Sequence, residues 1–130
     1  MTNPASHDDR RQFRRAIFTL EDNVIGTFSI AGVQDGSIKT NIVNISEGGL
    51  QFTLDAEIKH KVKAGDHLVI LQINAPATLK FLVNIDAEIK WVLLPEIFEY
   101  AGAGCQFTNI SQTSRQQIAS FVQAWIKSRS

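Results

Sequence analysis

The sequence contains few of the residues on which enzymes and metal centres depend. It has a single cysteine, Cys105, so it can form no internal disulfide and has no paired-cysteine metal motif. Its three histidines, His7, His60 and His67, show none of the spacings of zinc ligands. It also lacks a Gly-Lys-Ser/Thr phosphate loop and a Gly-x-Ser-x-Gly nucleophile turn. We therefore expect no catalytic residues, no resident metal and no cofactor.

Long apolar runs and a net charge are missing as well. The longest continuous apolar run, Leu68-Val69-Ile70-Leu71, is the size of a strand, whereas a membrane helix needs about 20 apolar residues. Residues 1–15 have no apolar centre of the kind that signal peptides contain. Lys plus Arg (13) equals Asp plus Glu (13), so no overall charge attracts the chain to nucleic acid or to a membrane. The sequence predicts a cytoplasmic protein that does not bind a membrane, and it makes nucleic acid an unfavoured partner.

What the chain does contain predicts one domain made mainly of β-strands. Its 130 residues, 44% of them hydrophobic, are enough for a single core. Residues 1–9 are polar and predict a disordered lead, and residues 10–15 form an arginine-rich arm. Short apolar stretches between turn signals predict a barrel over residues 16–108. The stretches 16–20 and 24–30 are either two strands or two parts of one strand.

A regular alternation of apolar and polar residues runs from Phe81 to Leu93. This period of two predicts a β-strand with one face in the core, and Trp91 shares that face with Ile89 and Leu93. At about 3.3 Å per residue the run would extend about 43 Å, which is too long for a flat strand in so small a domain. We therefore expect a strong bend or a break into a hairpin near Asn84, and a core position for Trp91.

Near the C-terminus the period changes to that of a helix. An amphipathic helix is predicted over residues 112–127, with the apolar positions Ile118, Phe121, Val122, Trp125 and Ile126 on one face. Either Ser111 or Ser114 can cap it, and Ser114 with Gln117 would form a capping box. Upstream of the helix, Cys105 lies in an apolar alternation, which predicts a buried structural thiol.

The most unusual local feature is a cluster of four arginines within six positions, Arg10, Arg11, Arg14 and Arg15. Such a cluster is either a solvated basic arm or an anion site. The exclusive use of arginine favours the anion site, because guanidinium is planar, always charged and offers a fork of donors to a phosphate or a guanine edge.

A second candidate is the turn Asn44-Ile45-Ser46-Glu47-Gly48-Gly49. By itself it is either an ordinary polar β-turn or a turn that reads a ligand. Asn44 offers amide donors and an acceptor, and Ser46 offers a hydroxyl. Gly49 can adopt a positive φ and permits a ligand to approach the backbone closely. Together these groups could read the edge of a flat heteroaromatic ring.

In this order the two motifs resemble those of PilZ domains, which carry RxxxR followed by [D/N]xSxxG. The register Arg11/Arg15 is preferred to the alternative Arg10/Arg14, because an apolar strand then follows directly. Two further segments resemble strands of the family, namely Ala87-Glu88-Ile89-Lys90-Trp91-Val92 and Gly104-Cys105-Gln106-Phe107. With them, the resemblance covers residues 10–127.

The resemblance implies a six-stranded, antiparallel, Greek-key-like β-barrel with a C-terminal α-helix that binds cyclic di-GMP, in many members as an intercalated dimer. The arm would change conformation on binding and signal to an unidentified downstream protein in motility, biofilm or exopolysaccharide control. The implied ligand-binding residues are Arg10, Arg11, Arg15, Asn44, Ser46 and Gly49, with Arg14 and Trp91 as additional candidates.

Two alternatives stay open at this point. A small nucleic-acid-binding barrel would track phosphates with the basic arm, although the balanced charge outside the arm argues against it. A PilZ-fold adaptor would bind a protein and no nucleotide, although such adaptors generally lose one of the motifs and this chain keeps both.

Overall fold

The computed structural model describes residues 13–31, 37–55, 57–74, 82, 84–93 and 101–129. The predicted lead, Arg10, Arg11 and the apolar positions Phe81 and Val83 lie outside the described residues. The described part forms the strands β1 (Ala16–Ile17), β2 (Ile25–Ile30), β3 (Ile38–Ile45), β4 (Gly49–Leu54), β5 (His67–Asn74), β6 (Ile85–Leu93) and β7 (Ala101–Asn109), and the helix α1 (Gln112–Ser128).

Six of these strands close into an antiparallel barrel. They follow one another around it as β3, β2, β5, β6, β7 and β4, and β4 pairs back to β3. The additional strand β1 lies beside the end of β3, where Ala16 pairs with Ile45 and Ile17 with Asn44. The predicted six-stranded barrel with a C-terminal helix is confirmed, with β1 as an extra strand.

The strands β1 and β2 lie in line along the same side of β3. Both run antiparallel to β3: Phe18 N donates to Val43 O at 2.9 Å, and Ile25 pairs with Asn41. A 3₁₀ turn over Leu20–Asp22 separates them, so this region forms two strands. Their arrangement places the residues that precede β1 next to the end of β3.

The barrel interior is filled by large apolar side chains. Phe28 and Phe52 stack across it with ring centroids 4.6 Å apart. Cys105 is buried as predicted, and burial raises the pKa of its thiol to about 12. The thiol is consequently protonated at neutral pH, which removes the nucleophilic thiolate form. The largest fully buried side chains are Phe28, Ile45, Leu50, Phe52, Leu54, Leu68, Ile70, Ile73, Leu82, Ile89 and Ile118.

The helix α1 is tied to the strand that follows the arm. Its N-cap is Ser111, whose hydroxyl oxygen accepts from Ser114 N at 3.0 Å, so Ser111 and not Ser114 is the cap. Trp125 Nε1 donates to Ile17 O at 3.1 Å, and the Trp125 ring lies edge-on to Phe18 with centroids 5.0 Å apart. In the described residues, no helix is long and apolar enough to span a membrane.

The alternation predicted over residues 81–93 is broken at two points among the described residues, once before β6 and once within it. Asn84 has a φ of 55°, so the extended run is interrupted there and β6 begins after it. Later, Ile89 pairs with Cys105 and Trp91 with Gly104, which leaves Lys90 as the extra residue of a β-bulge. The bulge turns Trp91 outward, and 40% of its surface is exposed. The core position predicted for Trp91 is therefore wrong.

Candidate functional site

The arginine arm and the polar turn meet at the end of β3. Arg15 directly precedes β1, whose Ala16 pairs with Ile45, so Arg15 lies beside the end of β3. Arg15 Nη1 donates a hydrogen bond of 2.6 Å to Asn44 Oδ1, across 29 positions of sequence. One residue of each motif is thus in direct contact with the other.

Asn44 is held from both sides. It is only 8% exposed, and its Nδ2 donates to Gln51 Oε1 at 2.8 Å. A β-bulge at Val43 brings these residues together: Ile42 pairs with Phe52, and the next pair is Asn44 with Gln51. Asn44 is therefore a buried polar residue with both ends of its amide hydrogen-bonded.

Ser46 closes the turn that follows Asn44. Its backbone N donates to Gly49 O at 2.8 Å, and its hydroxyl oxygen accepts from Gly48 N at 3.1 Å. Ser46 is 1% exposed, so the turn is shaped by this side chain from inside. The predicted contact of Ser46 with a ligand stays a prediction.

Gly49 is required by a close approach and not by its dihedral angles. It begins β4, pairs with Gln106, and does not have the positive φ that the sequence suggested. A Cβ at Gly49 would clash with the carbonyl oxygen of Cys105 and lie 3.0 Å from the carbonyl carbon. Only glycine allows β4 and β7 to come this close. The positive φ suggested for Gly49 is therefore wrong, while the predicted close approach of a ligand stays a prediction.

A cleft of about 280 Å³ opens on the outer wall of the barrel beside Arg15. It carries two cationic side chains, Arg15 and Lys90, and no carboxylate among its lining residues. Its wall also offers the amides Gln51 and Gln106. The lining residues are Phe13, Arg15, Ser46, Gly48, Gly49, Leu50, Gln51, Lys90, Trp91, Gly104, Cys105 and Gln106.

Trp91 forms the aromatic wall of this cleft. Its indole lies against the backbone of Gly104, where a Cβ would come within 2.7 Å of Trp91 Cζ2 and closer still to Nε1. The absence of a side chain at Gly104 therefore lets the ring lie flat against the barrel. The sequence contains this glycine in its Gly-x-x-Phe segment. Only the pairing of β6 with β7 shows that the ring of Trp91 is the group that packs against it.

The charge of Arg15 has no acidic partner among the described residues. Partial burial lowers the pKa of its guanidinium from the ordinary value, although arginine stays charged at neutral pH. The ion pairs in the described part of the chain join Lys63 to Asp66, Lys90 to Glu88 and Arg129 to Asp22. A half-buried cation whose partner is a neutral amide oxygen favours an anion as its missing ligand.

Of the other residues of the arm, Phe13 borders the cleft, Arg14 does not, and Arg10 and Arg11 lie outside the described residues. Arg14 is exposed and borders a separate groove beside Glu47 and the helix, so it does not line the cleft. Phe13 lies between Gly48 and the helix, with its ring centroid 5.8 Å from the guanidinium carbon of Arg115. The sequence analysis did not single out Gln51, Lys90 or Gln106, because each looks like an ordinary surface position until the barrel closes.

A closed β-barrel with a cation-lined cleft on its outer wall is the architecture of a small binding module. A model of the PilZ domain matches residues 9–124, and the chain belongs to this family. No curated protein matches the sequence closely enough to be counted as a relative.

Solved structures share the fold at low sequence identity. The inhibitor of motility MotI/DgrA of Bacillus subtilis matches with a TM-score of 0.67 and 17% identity over 93% of this chain and 53% of that one. The PilZ domain of YcgR from Escherichia coli, solved with c-di-GMP, matches with a TM-score of 0.62 and 16% identity over 92% of this chain and 94% of that one. The K. pneumonia MrkH–c-di-GMP complex matches with a TM-score of 0.67 and 19% identity over 92% of this chain and 53% of that one. The chain thus spans just over half the length of MotI/DgrA and MrkH.

Proposed function

We propose that this chain is a receptor for cyclic di-GMP and that the ligand binds in the cleft beside Arg15. The observation that carries the proposal is the hydrogen bond from Arg15 to Asn44, because it joins the RxxxR and NxSxxG motifs at a cleft with two cations and no carboxylate. The solved structures of the YcgR PilZ domain with c-di-GMP and of the MrkH–c-di-GMP complex support the same ligand class.

The chemistry of the cleft matches both halves of the ligand. Arg15 and Lys90 supply positive charge for the phosphates, and guanidinium also offers a donor fork to a guanine edge. Trp91 supplies an aromatic face on which a base stacks. On the strength of the motif, the proposal adds Arg10 and Arg11 from the arm. It also includes Asn44, Ser46 and Gly49, which lie at or beside the cleft.

The size of the cleft bears on the number of ligand molecules. Its volume of about 280 Å³ lies at the lower end of ligand pockets, which run from about 300 to 1,000 Å³. One of the two guanine nucleotides of the ligand would fill such a cleft, and the other would extend outside it. We propose that the arm folds over this outer part, and that a second intercalated molecule would also stack there.

The route from the site to a downstream partner runs through β1. Arg15 contacts the ligand site, the next residues form β1, and Trp125 of the helix is bonded to Ile17 O. An arm that reorders around the ligand changes the position of β1 and of the helix face that packs on it. We propose that this surface is read by a cytoplasmic partner protein.

The proposal is tested by calorimetric titration of the whole chain with cyclic di-GMP, in parallel with GTP and a short single-stranded oligonucleotide. Selective binding of the cyclic dinucleotide is expected, and the stoichiometry gives one or two ligands per chain. A nucleic-acid-binding barrel would prefer the oligonucleotide with a steep salt dependence. A chain that binds none of the three would be a protein-binding adaptor.

Replacing Trp91 by alanine should weaken cyclic di-GMP binding at least about fivefold, because base–aromatic stacking contributes about 1–3 kcal/mol. Trp91→Phe should recover part of the loss, because phenylalanine retains a smaller aromatic face. Leu93→Ala is the matched control: Leu93 is an exposed apolar residue of the same strand, 61% exposed, and does not line the cleft. Equal losses for Trp91→Ala and Leu93→Ala would contradict a stacking role.

A further inference from the structure

The hydrogen bonds behind the cleft have a fixed direction. Arg15 has only donors, so the Asn44 atom that faces it is the amide oxygen, at 2.6 Å. The amide nitrogen of Asn44 then faces Gln51, and Gln51 must present its oxygen to it, at 2.8 Å. The charge of Arg15 therefore sets the orientation of two amides in succession.

This fixed direction leaves the amide nitrogen of Gln51 without a hydrogen-bond partner in the described part of the chain, while Gln51 lines the cleft. We propose that Gln51 is a further ligand-binding residue, whose Nε2 donates to an acceptor atom of the bound nucleotide. This inference rests on the proposed function, since it assigns an additional contact within the same cleft.

Gln51 is placed for this role by the local structure. It lies on β4 directly opposite Asn44, in the pairing that the bulge at Val43 creates. Its neighbours Leu50 and Phe52 are 1% and 0% exposed and point into the barrel, so Gln51 points outward to the cleft wall. Acceptors that suit an amide donor are a phosphate oxygen and the N7 or O6 atom of a guanine.

Changing Gln51 to leucine removes the donor from the cleft and should weaken cyclic di-GMP binding about fivefold to tenfold, as expected for the loss of one hydrogen bond. Leucine also removes the acceptor that Asn44 Nδ2 uses, so a second variant has to separate a ligand contact from support of Asn44.

The same substitution in an Asn44→Ala background makes this distinction. A direct contact predicts that Asn44→Ala/Gln51→Leu binds about fivefold to tenfold more weakly than Asn44→Ala. If Gln51 acted only through Asn44, Gln51→Leu would cause no further loss in that background. Thermal unfolding of each variant checks that the fold is retained.

The outcomes separate the two proposals. If the wild type binds cyclic di-GMP, an unchanged affinity in Gln51→Leu would overturn the role of Gln51 and leave the receptor function intact. The absence of a further loss in Asn44→Ala/Gln51→Leu relative to Asn44→Ala would overturn that role as well. A wild-type chain that does not bind cyclic di-GMP would overturn the proposed function, and with it the Gln51 contact.

Discussion

Replacing Arg15 by alanine is expected to weaken cyclic di-GMP binding about tenfold or more. Each charge-assisted hydrogen bond from a guanidinium contributes roughly 1.5–3 kcal/mol. Among the described arginines of the arm, Arg15 is the one that lines the cleft and hydrogen-bonds Asn44 of the NxSxxG motif. Arg15→Lys should recover little of the loss, because lysine keeps the charge and lacks the planar fork. Isothermal titration at constant ionic strength measures both variants.

The matched control for Arg15 is Arg115→Ala. Arg115 is also an arginine close to the arm, 5.8 Å from the Phe13 ring, but it lies on the helix and does not line the cleft. Removing the Arg115 side chain should change the affinity for cyclic di-GMP less than about threefold, as expected for a charge at the margin of the binding site. If Arg15→Ala bound as tightly as the wild type, or lost no more than Arg115→Ala, Arg15 would not be a ligand contact.

Arg15→Ala should leave the fold intact, which separates binding from stability. The guanidinium is partly desolvated, and its pKa is lowered by that burial. No carboxylate forms an ion pair with it in the described ranges. Removing the desolvated charge relieves a cost to folding, but it also leaves the buried Asn44 Oδ1 without its donor. The two effects oppose each other, so the midpoint of thermal unfolding should shift by only a few degrees.

The elements of the barrel follow from local patterns in the sequence. Alternation within Leu50–Leu54 and within Ala101–Asn109 marks strands with one buried face, and both are strands in the structure. The change of period after Ile110 marks the helix, which begins at Gln112 as expected. These features were predictable because each depends on residues a few positions apart.

The details of the site depend instead on where strands slip against each other. The bulge at Lys90 turns Trp91 out of the core, and the bulge at Val43 sets Asn44 against Gln51. A bulge changes the facing of every later residue in a strand but has no strong signature in a single sequence. The sequence could therefore indicate Asn44 as a candidate site residue, but it could not indicate that Gln51 lies beside it.

Replacing Gly49 by alanine is expected to destabilise the protein by about 2 kcal/mol or more, because its Cβ would meet the backbone of Cys105, which cannot rotate away. Gly48→Ala is the matched control: its Cβ would meet the ring of Phe13 at 3.3 Å, and a side chain can move aside. That substitution should cost less than about 1 kcal/mol. Urea unfolding measures both, and the closure of β4 on β7 explains the difference. Equal stability of the two variants would show that this contact does not require glycine.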